Sequence, residues 1–463
     1  MTLFAPGDPR PVHFMGIAGA GMSALALIAK RRGVQVSGCD QEPGGAQDLA
    51  ALGVPVWEGH SPGHVDGVRA LVVSAAIPRD HPEVERARQL GIPVIRRADA
   101  LGEAVAGGTV VAVAGTHGKT TTTVMVTEGL AAAGRNPTGL VGGRVAGWGG
   151  NARHGGADLF VVEADEYDRA FLSLAPTVAV VNNVEADHLE CYGTVAELER
   201  AFVEFAGRAK RVIASADDPG ARRVTAALRV PVWSVGTERA DVRIRDAHFD
   251  AEGSRARIEL PNGDAVALTL RVPGAHNVRN AAAALAAVLA VGANVRSAAA
   301  ALAEFRGVAR RFERLGEAGG VMVVDDYAHH PTEVSATLAA ARQAFPDRRV
   351  VAVFQPHLYS RTAAHGEALG RALGAADLVV VAPIYGAREA PLPGVTSDLV
   401  TRAARGAGAE TVAVPERREL GARVAELLEP GDLLLTMGAG DVTRVGPEIL
   451  GARRGGARER APR

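Results

Sequence analysis

Between an apolar run, Val110–Ala114, and a stretch of helical patterning, the chain reads Gly115-Thr116-His117-Gly118-Lys119-Thr120-Thr121. Small residues at a strand-to-helix turn let successive backbone N–H groups point at phosphate oxygens, and the helix N-terminus adds a favourable dipole. A lysine there neutralises terminal phosphates, and the Thr120 hydroxyl is placed to complete a magnesium shell. The loop departs from the general G-x-x-x-x-G-K-[ST] pattern, since Val113 stands where its first glycine would be. Phosphate loops serve motors and switches as well as ligases, so this segment alone does not choose a reaction.

Two acidic clusters narrow the choice. Glu163-Ala164-Asp165-Glu166-Tyr167-Asp168 follows the apolar run Leu159–Val162, and Glu185-Ala186-Asp187-His188 follows Val178–Asn182. Both fall at carboxyl ends of expected strands, where open α/β sheets bind ligands. Magnesium takes few carboxylates beside water and phosphate oxygens, so Glu163 is a candidate ligand and His188 a candidate holder of a second ion. A third turn, Gly16-Ile17-Ala18-Gly19-Ala20-Gly21-Met22-Ser23, suits a diphosphate through Gly16, Gly19 and Gly21. Asp40 closes the next strand where a ribose-binding acid would fall. The spacing differs from G-x-G-x-x-G, which counts against NAD.

The elements that must position these residues alternate from end to end, short Val/Ile/Leu runs with Ala/Leu-rich amphipathic stretches, as in βαβ units. The first unit is a strand at Val12–Met15, the glycine turn, and a helix over about Met22–Arg32 ended by Gly33; Val34–Ser37 follows as a strand. Val68–Ser74 reads as another strand and Pro82–Leu90 as another helix. A break at Gly107-Gly108 opens a second domain. Within it, Val242–Leu270 changes to short strands with turns at Gly253 and Asn262-Gly263, an expected antiparallel insert, before a long helix at Asn280–Val291. A third domain begins near Gly316, with strands at Val321–Val324, Val350–Phe354, Leu378–Ala382, Thr411–Val414 and Leu433–Met437.

Bulk numbers agree with that division. At 463 residues, and with about 150 residues per domain, three α/β domains are expected. The formal net charge of −1 provides no basic field for nucleic acid or anionic lipid, so anions must be held by local devices. Cys39 and Cys191 are the only cysteines, too few for a disulfide framework and fitting a reducing compartment. Met1–Arg10 does not read as a signal peptide, and the most apolar runs, such as Ala281–Val291, are too short to span a bilayer. A cytoplasmic location is expected. The Arg/Gly/Ala-rich tail, Gly451–Arg463, is expected to fray. Only Lys30, Lys119 and Lys210 stand against 48 arginines, and one of the three lies in the phosphate loop.

The segments GTHGKTT, EADEYD and EADH, in this order and spacing, resemble the central domain of the Mur ligases. Gly274-Ala275-His276-Asn277-Val278-Arg279-Asn280 resembles that family's G-x-H-N-x-x-N segment, and Arg310-Arg311-Phe312 its R-R-F segment. Asp325-Asp326-Tyr327-Ala328-His329-His330-Pro331, Phe354-Gln355-Pro356-His357-Leu358-Tyr359-Ser360-Arg361-Thr362 and Thr436-Met437-Gly438-Ala439-Gly440-Asp441 resemble signatures of the member that adds L-alanine to UDP-N-acetylmuramate. The likeness covers nearly the whole chain. It implies three domains: a Rossmann-like UDP-binding domain at 1–106, a central phosphate-loop ATPase domain at 107–314, and a Rossmann-like C-terminal domain at 315–463.

For single residues the resemblance implies ATP contacts through Gly115–Thr121, with His276 and Asn280 by the adenine, Arg311 near the phosphates and Asp326 on the ribose. Magnesium falls to Thr120, Glu163 and His188. Tyr327 and His329 lie near the incoming alanine, with Arg361 on its carboxylate, a role that also suits a guanidinium fork. Leu358 stands where some members carry a second arginine. Val141-Gly142-Gly143 and Asn151-Ala152-Arg153 resemble segments that meet the sugar carboxylate, giving Asn151 and Arg153 as substrate contacts. The implied reaction passes through an acyl phosphate, in peptidoglycan precursor synthesis, with closure of the third domain excluding water. His188 and His329 are both candidates to take the amine proton. A tripeptide-adding relative on the same nucleotide sugar, a nucleotide-sensing regulator and a phosphate-loop motor are the rival readings; the regulator leaves His329, Arg361 and the acidic cluster unexplained. Oligomeric state is open between monomer and weak homodimer.

Overall fold

A computed structural model of the chain describes residues 3–387 and 389–459. It divides into two compact units, Met1–Asp246 with Ala256–Thr269 and Arg279–Glu304, and Ala247–Arg255 with Leu270–Val278 and Phe305–Arg463. Three sheets supply the frame.

The first sheet holds β1 (Val12–Met15), β2 (Val36–Asp40), β3 (Val56–Glu58), β4 (Ala70–Val73) and β5 (Val94–Arg96), all parallel, in the order β3-β2-β1-β4-β5. The order reverses at β1, so the glycine turn leaves the sheet at its switch point. The strand expected at Val34–Ser37 begins two residues later. Gly33 and Val34 close the preceding helix by donating to the Lys30 and Ala29 carbonyls, which delays pairing until Val36 meets Val12.

The second sheet contains β6 (Thr109–Ala114), β7 (Thr138–Val145), β8 (Gly150–Arg153), β9 (Leu159–Glu163), β10 (Val178–Val181), β11 (Arg211–Ser215), β12 (Val232–Gly236), β13 (Val242–Asp250), β14 (Gly253–Glu259) and β15 (Ala265–Leu270). Its order is β15-β14-β13-β12-β11-β10-β6-β9-β7-β8. Expected as a separate insert, β13–β15 extend this sheet, β13 running parallel to β12. β6 lies between β10 and β9, and its five residues Val110–Ala114 are all buried, the continuous apolar run of a strand covered on both faces.

The third sheet carries β16 (Glu313–Ala318), β17 (Val321–Asp326), β18 (Val350–Phe354), β19 (Leu378–Val381), β20 (Glu410–Ala413) and β21 (Leu433–Met437) in the order β16-β17-β21-β18-β19-β20. Only β16 is antiparallel to its neighbour, and a register shift between Arg314 and Gly316 bends it. The tail expected to fray continues as helix to Glu459, and residues 460–463 lie outside the described residues. Among the described residues no helix is long and apolar enough to cross a membrane.

Candidate active site

The phosphate loop is built by close backbone approach. After β6, Gly115 adopts φ +134°, and a Cβ there would lie 3.1 Å from the Asn182 and Asn183 amide nitrogens. Gly118, at φ +76°, begins the helix Lys119–Ala132 without a side-chain cap. A Cβ on Gly118 would strike Asn280 Oδ1 at 2.6 Å. That contact brings Asn280, one turn after His276 on the helix Ala275–Ala290, against the loop. The uncapped first-turn amides are the groups a phosphate needs.

Two asparagines just beyond β10 hold the loop's shape. Asn183 Oδ1 accepts from His117 N (2.7 Å), while Asn182 Nδ2 donates to Thr122 Oγ1 (3.1 Å) and His117 O (3.3 Å). Thr116 Oγ1 accepts from Glu185 N at 2.9 Å. Sequence reasoning had stopped at the acids that follow these asparagines; their place at the carboxyl end of a central strand was the available signal.

Lys119 Nζ donates to Gly115 O and to both oxygens of Glu166, each at 2.8 Å. Burial works against the ammonium, but Glu166 and Asp165 outweigh it and hold the lysine charged. Glu166 is 2% exposed and was not singled out from sequence. A buried glutamate in an acidic run needs a cation, and the only nearby lysine was already in view. Tyr192 donates to Glu166 O, and Phe171, which donates its N–H to Asp165 O, stacks on Phe205 at 4.9 Å and meets Phe202 edge-on.

Beside the lysine, Thr120 Oγ1 donates to Glu163 at 2.9–3.0 Å, and Gly142 N donates to the same carboxylate at 2.6 Å. The β6–β9 register, Val113 opposite Glu163, places that acid at the mouth of the loop. His188, at φ +53°, starts a short helix, and its ring engages Asp187 (3.7 Å), Glu190 (3.4 Å) and the edge of Tyr167. The two expected metal-binding residues Thr120 and Glu163 are therefore joined, whereas His188 is tied to its own segment. Thr121 is buried.

At the first sheet, Gly16 takes φ +82° and Gly19 precedes the helix Ala20–Arg31 with no side-chain cap. Gly21 faces Arg97, whose guanidinium would lie 2.9 Å from a Cβ there. Asp40 accepts from Ala18 N at 2.9 Å and from Glu42 N at 3.1 Å, so it braces the glycine turn. Asn151 is buried and donates to Ser23 Oγ at 3.0 Å, which ties β8 to that helix; its Oδ1 meets no hydrogen-bond donor among the described residues. Arg153 donates to Pro137 O at 2.6 Å, a backbone contact at the sheet edge.

A second cluster gathers in the other unit at the ends of β17, β18 and β21. Asp326 is buried, and its two oxygens accept from Phe312 N (2.8 Å) and Ala328 N (2.7 Å). Burial raises its carboxyl to about 6, against the pull of the Arg311 charge. Arg310 and Arg311 both stack over the Tyr327 ring, at 4.9 and 5.0 Å. Arg310 also pairs with Asp325 (3.2 Å), and Arg311 with Glu333 (3.4 Å). His329 Nδ1 lies 2.9 Å from Tyr327 O and 3.3 Å from Glu333.

His357 joins this group, 6.1 Å from the His329 ring and stacked on Tyr385, and sequence reasoning had passed over it inside its motif. Burial, with Arg361 adding to it, lowers its pKa to about 4. Arg361 sits in the first turn of the helix Tyr359–Leu373, which starts from Leu358 at φ +64°. His276 packs against Gly274, itself at φ +105°.

Comparison with known proteins identifies the family. Three family profiles match in series: "Mur ligase family, catalytic domain" at 11–109, "Mur ligase middle domain" at 113–288, and "Mur ligase, glutamate ligase domain" at 310–440. A UDP-N-acetylmuramate–L-alanine ligase of Streptomyces griseus is 47% identical over 460 residues, covering 96% of this chain and 98% of that protein. Among solved structures, UDP-N-acetylmuramate-alanine ligase MurC from Thermotoga maritima aligns at TM-score 0.83 and 28% identity, covering 96% and 99% of the two chains. A murein peptide ligase from Psychrobacter arcticus aligns at TM-score 0.72 and 26% identity, covering 96% and 98%. A phosphate loop with its acidic partner strands, flanked by one α/β sheet before it and another after it, is thus no isolated likeness: this chain belongs to the Mur ligase family.

Proposed function

We infer that the chain joins L-alanine to the carboxylate of UDP-N-acetylmuramate at the expense of ATP, giving ADP, phosphate and UDP-N-acetylmuramoyl-L-alanine for peptidoglycan precursor synthesis. The observation that carries this reading is Lys119 in an uncapped phosphate loop, with Thr120 and Glu163 paired beside it. Near-complete alignment to L-alanine-adding relatives supports the substrates. We keep three domains, 1–106, 107–314 and 315–463; three sheets and three matched segments support the division, although β16 (Glu313–Ala318) and the third matched segment begin shortly before the last boundary. A cytoplasmic location goes with this reading.

A carboxylate is a poor electrophile, so it is activated before an amine attacks it. The sugar carboxylate attacks the γ-phosphorus in line, ADP leaves, and an acyl phosphate forms. Lys119 neutralises the transferred group, exchanging Glu166 for phosphate oxygens. The amine of L-alanine then adds to the acyl carbon, and the tetrahedral intermediate expels phosphate. Arg361 holds the alanine carboxylate. His329 takes the amine proton: Tyr327 O and Glu333 are acceptors around Nδ1, which keeps the proton there and the basic lone pair on Nε2.

Magnesium suits Thr120 and Glu163. Their 2.9–3.0 Å separation matches the edge between neighbouring ligands in an octahedral shell with bonds of about 2.0–2.1 Å. When bound, the ion offsets phosphate charge. Asp326 serves the ATP ribose, His276 and Asn280 the adenine, Arg311 the phosphates, and Gly16, Gly19, Gly21, Asp40, Asn151 and Arg153 the UDP-sugar.

The test is phosphate release with ATP and UDP-N-acetylmuramate, offered each amino acid in turn and then the tripeptide used by murein peptide ligases. Turnover with L-alanine and none with tripeptide is expected. The reverse pattern would move the chain to the tripeptide-adding branch.

A further inference from the structure

Away from the phosphate loop, four residues distant in sequence converge inside the first sheet. His13 lies on β1, Cys39 on β2, His64 in the turn Pro62–Val65, and Glu83 in the first turn of the helix Pro82–Gln89. His13, Cys39 and Glu83 are completely buried. One donor atom from each of the four lies within 4.8 Å of all the others. We propose that this cluster is a tetrahedral zinc site, with His13 Nε2, Cys39 Sγ, His64 Nδ1 and a Glu83 oxygen as its ligands. It lies outside the ligation chemistry above and does not depend on it.

The spacing carries the argument. His13 Nε2 is 3.1 Å from Glu83 Oε1 and 3.4 Å from Cys39 Sγ; Glu83 Oε1 is 3.4 Å from Cys39 Sγ and 3.5 Å from His64 Nδ1. Zinc bonds of about 2.0–2.1 Å to nitrogen and oxygen and 2.3 Å to sulfur give tetrahedral edges of roughly 3.3–3.6 Å. A hydrogen-bonded cluster around one carboxylate fits less well. The His13 and Cys39 contacts to Glu83 also have ordinary hydrogen-bond lengths, but such a cluster leaves out His64, whose Nδ1 is buried with no hydrogen-bond partner among the described residues.

The surroundings also suit a metal. His13 Nδ1 lies 3.0 Å from Ser37 Oγ, a contact that turns Nε2 inward and fixes the ring. His60 Nδ1 approaches the Cys39 sulfur at 3.1 Å from outside the four, and Trp57 stacks on His64 at 4.9 Å. One thiolate, two imidazoles and one carboxylate select zinc over magnesium, and with a divalent ion they leave a neutral centre that tolerates burial. The ion would fasten the Pro62–Val65 turn and the Pro82–Gln89 helix to the sheet behind the glycine turn, since Cys39 O accepts from Gly16 N at 2.8 Å.

The test uses the full chain, produced with zinc in the medium and dialysed against excess magnesium so that the phosphate loop does not retain zinc. Elemental analysis is expected to find about one zinc per chain. Cobalt exchanged into the protein should show tetrahedral visible bands and a thiolate charge-transfer band. Cys191→Ser should keep that band, Cys39→Ser should lose it, and His64→Asn should weaken cobalt binding by about tenfold or more. Zinc below a tenth of the chain concentration, a wild-type cobalt protein without the band, or a band surviving in Cys39→Ser would each overturn the proposal. If Cys39→Ser does not fold, the wild-type and Cys191→Ser spectra still decide. These readouts are blind to ligation, so they stand or fall apart from the enzyme assignment.

Discussion

The phosphate loop and the cluster at the ends of β17, β18 and β21 manage charge in opposite ways. At the loop every charged group already has a partner: Lys119 on Glu166, and Glu163 on Thr120 and Gly142 N. Its seven contiguous residues set the shape through backbone, helped by two asparagines. The second cluster draws on four separated segments, stacks two guanidiniums on one tyrosine ring, and half-buries a histidine that resists protonation. On the proposed function, the first is a site prepared for one invariant group, a polyphosphate. The second is shaped by side chains, the kind of surface on which specificity for an amino acid is set.

The comparison breaks most sharply at Lys119. Lys119→Ala should abolish ligation, a loss of about a thousandfold or more, and also cost about 3–5 kcal/mol because Glu166 is left buried and unpaired. Adding Glu166→Gln should restore most of that stability while ligation stays absent. Urea unfolding beside phosphate release checks both, and a double variant that regains turnover would remove Lys119 from the chemistry.

Glu163→Gln should need about ten- to a hundredfold more magnesium for half-maximal rate, whereas His188→Ala should move the magnesium titration far less. Equal shifts in the two would show that His188 leaves its Asp187 and Glu190 contacts to share the ion.

In the second cluster, Arg361→Leu removes a charge-assisted pair worth roughly 2–5 kcal/mol. The KM for L-alanine should rise at least about tenfold, with calorimetric affinities for ATP and UDP-N-acetylmuramate nearly unchanged. Collapse of nucleotide binding with normal alanine dependence would place Arg361 elsewhere.

The last effect is on stability and concerns pH. His357 stays neutral in the fold down to about 4, while an unfolded histidine protonates near 6.5. Below that upper value the unfolded state binds more protons, so stability falls as pH drops through the window. The wild-type loss should be about 2–3 kcal/mol, and His357→Gln should flatten it. Denaturant midpoints at several pH values in this window provide the measurement.

How much of this was legible depended on whether the information is local. Val12–Met15, Val350–Phe354 and Leu433–Met437 are strands to the residue, because continuous apolar runs announce them. β8 and β16 were missed: Gly150–Arg153 and Glu313–Ala318 have little β-branched character, and they gain strand form from their neighbours. The helix expected from Asn280 starts at Ala275, since the left-handed turn at Gly274 sets its beginning while polar residues mask its first turn. Lys119, Thr120 and Glu163 were readable from motif spacing. Glu166, Asn182 and His357 acquire their roles only when strand ends come together. The His13, Cys39, His64 and Glu83 group has no sequence signature, because no two of its members share a turn or a strand.

Under the proposed function, the Lys119–Glu166 pair alters what phosphate binding at the loop means. Because the resting loop carries its own anion, an incoming polyphosphate replaces a ligand instead of filling a free cation. The attraction that counts is the difference between two anions for one ammonium, both nearly dehydrated. Added salt screens such an exchange weakly, since the competing charges are buried. A monophosphate, with fewer oxygens to span the helix amides and the lysine together, competes poorly with a carboxylate already in place. The internal anion therefore sets a threshold of valence, below which a ligand leaves the loop as it is.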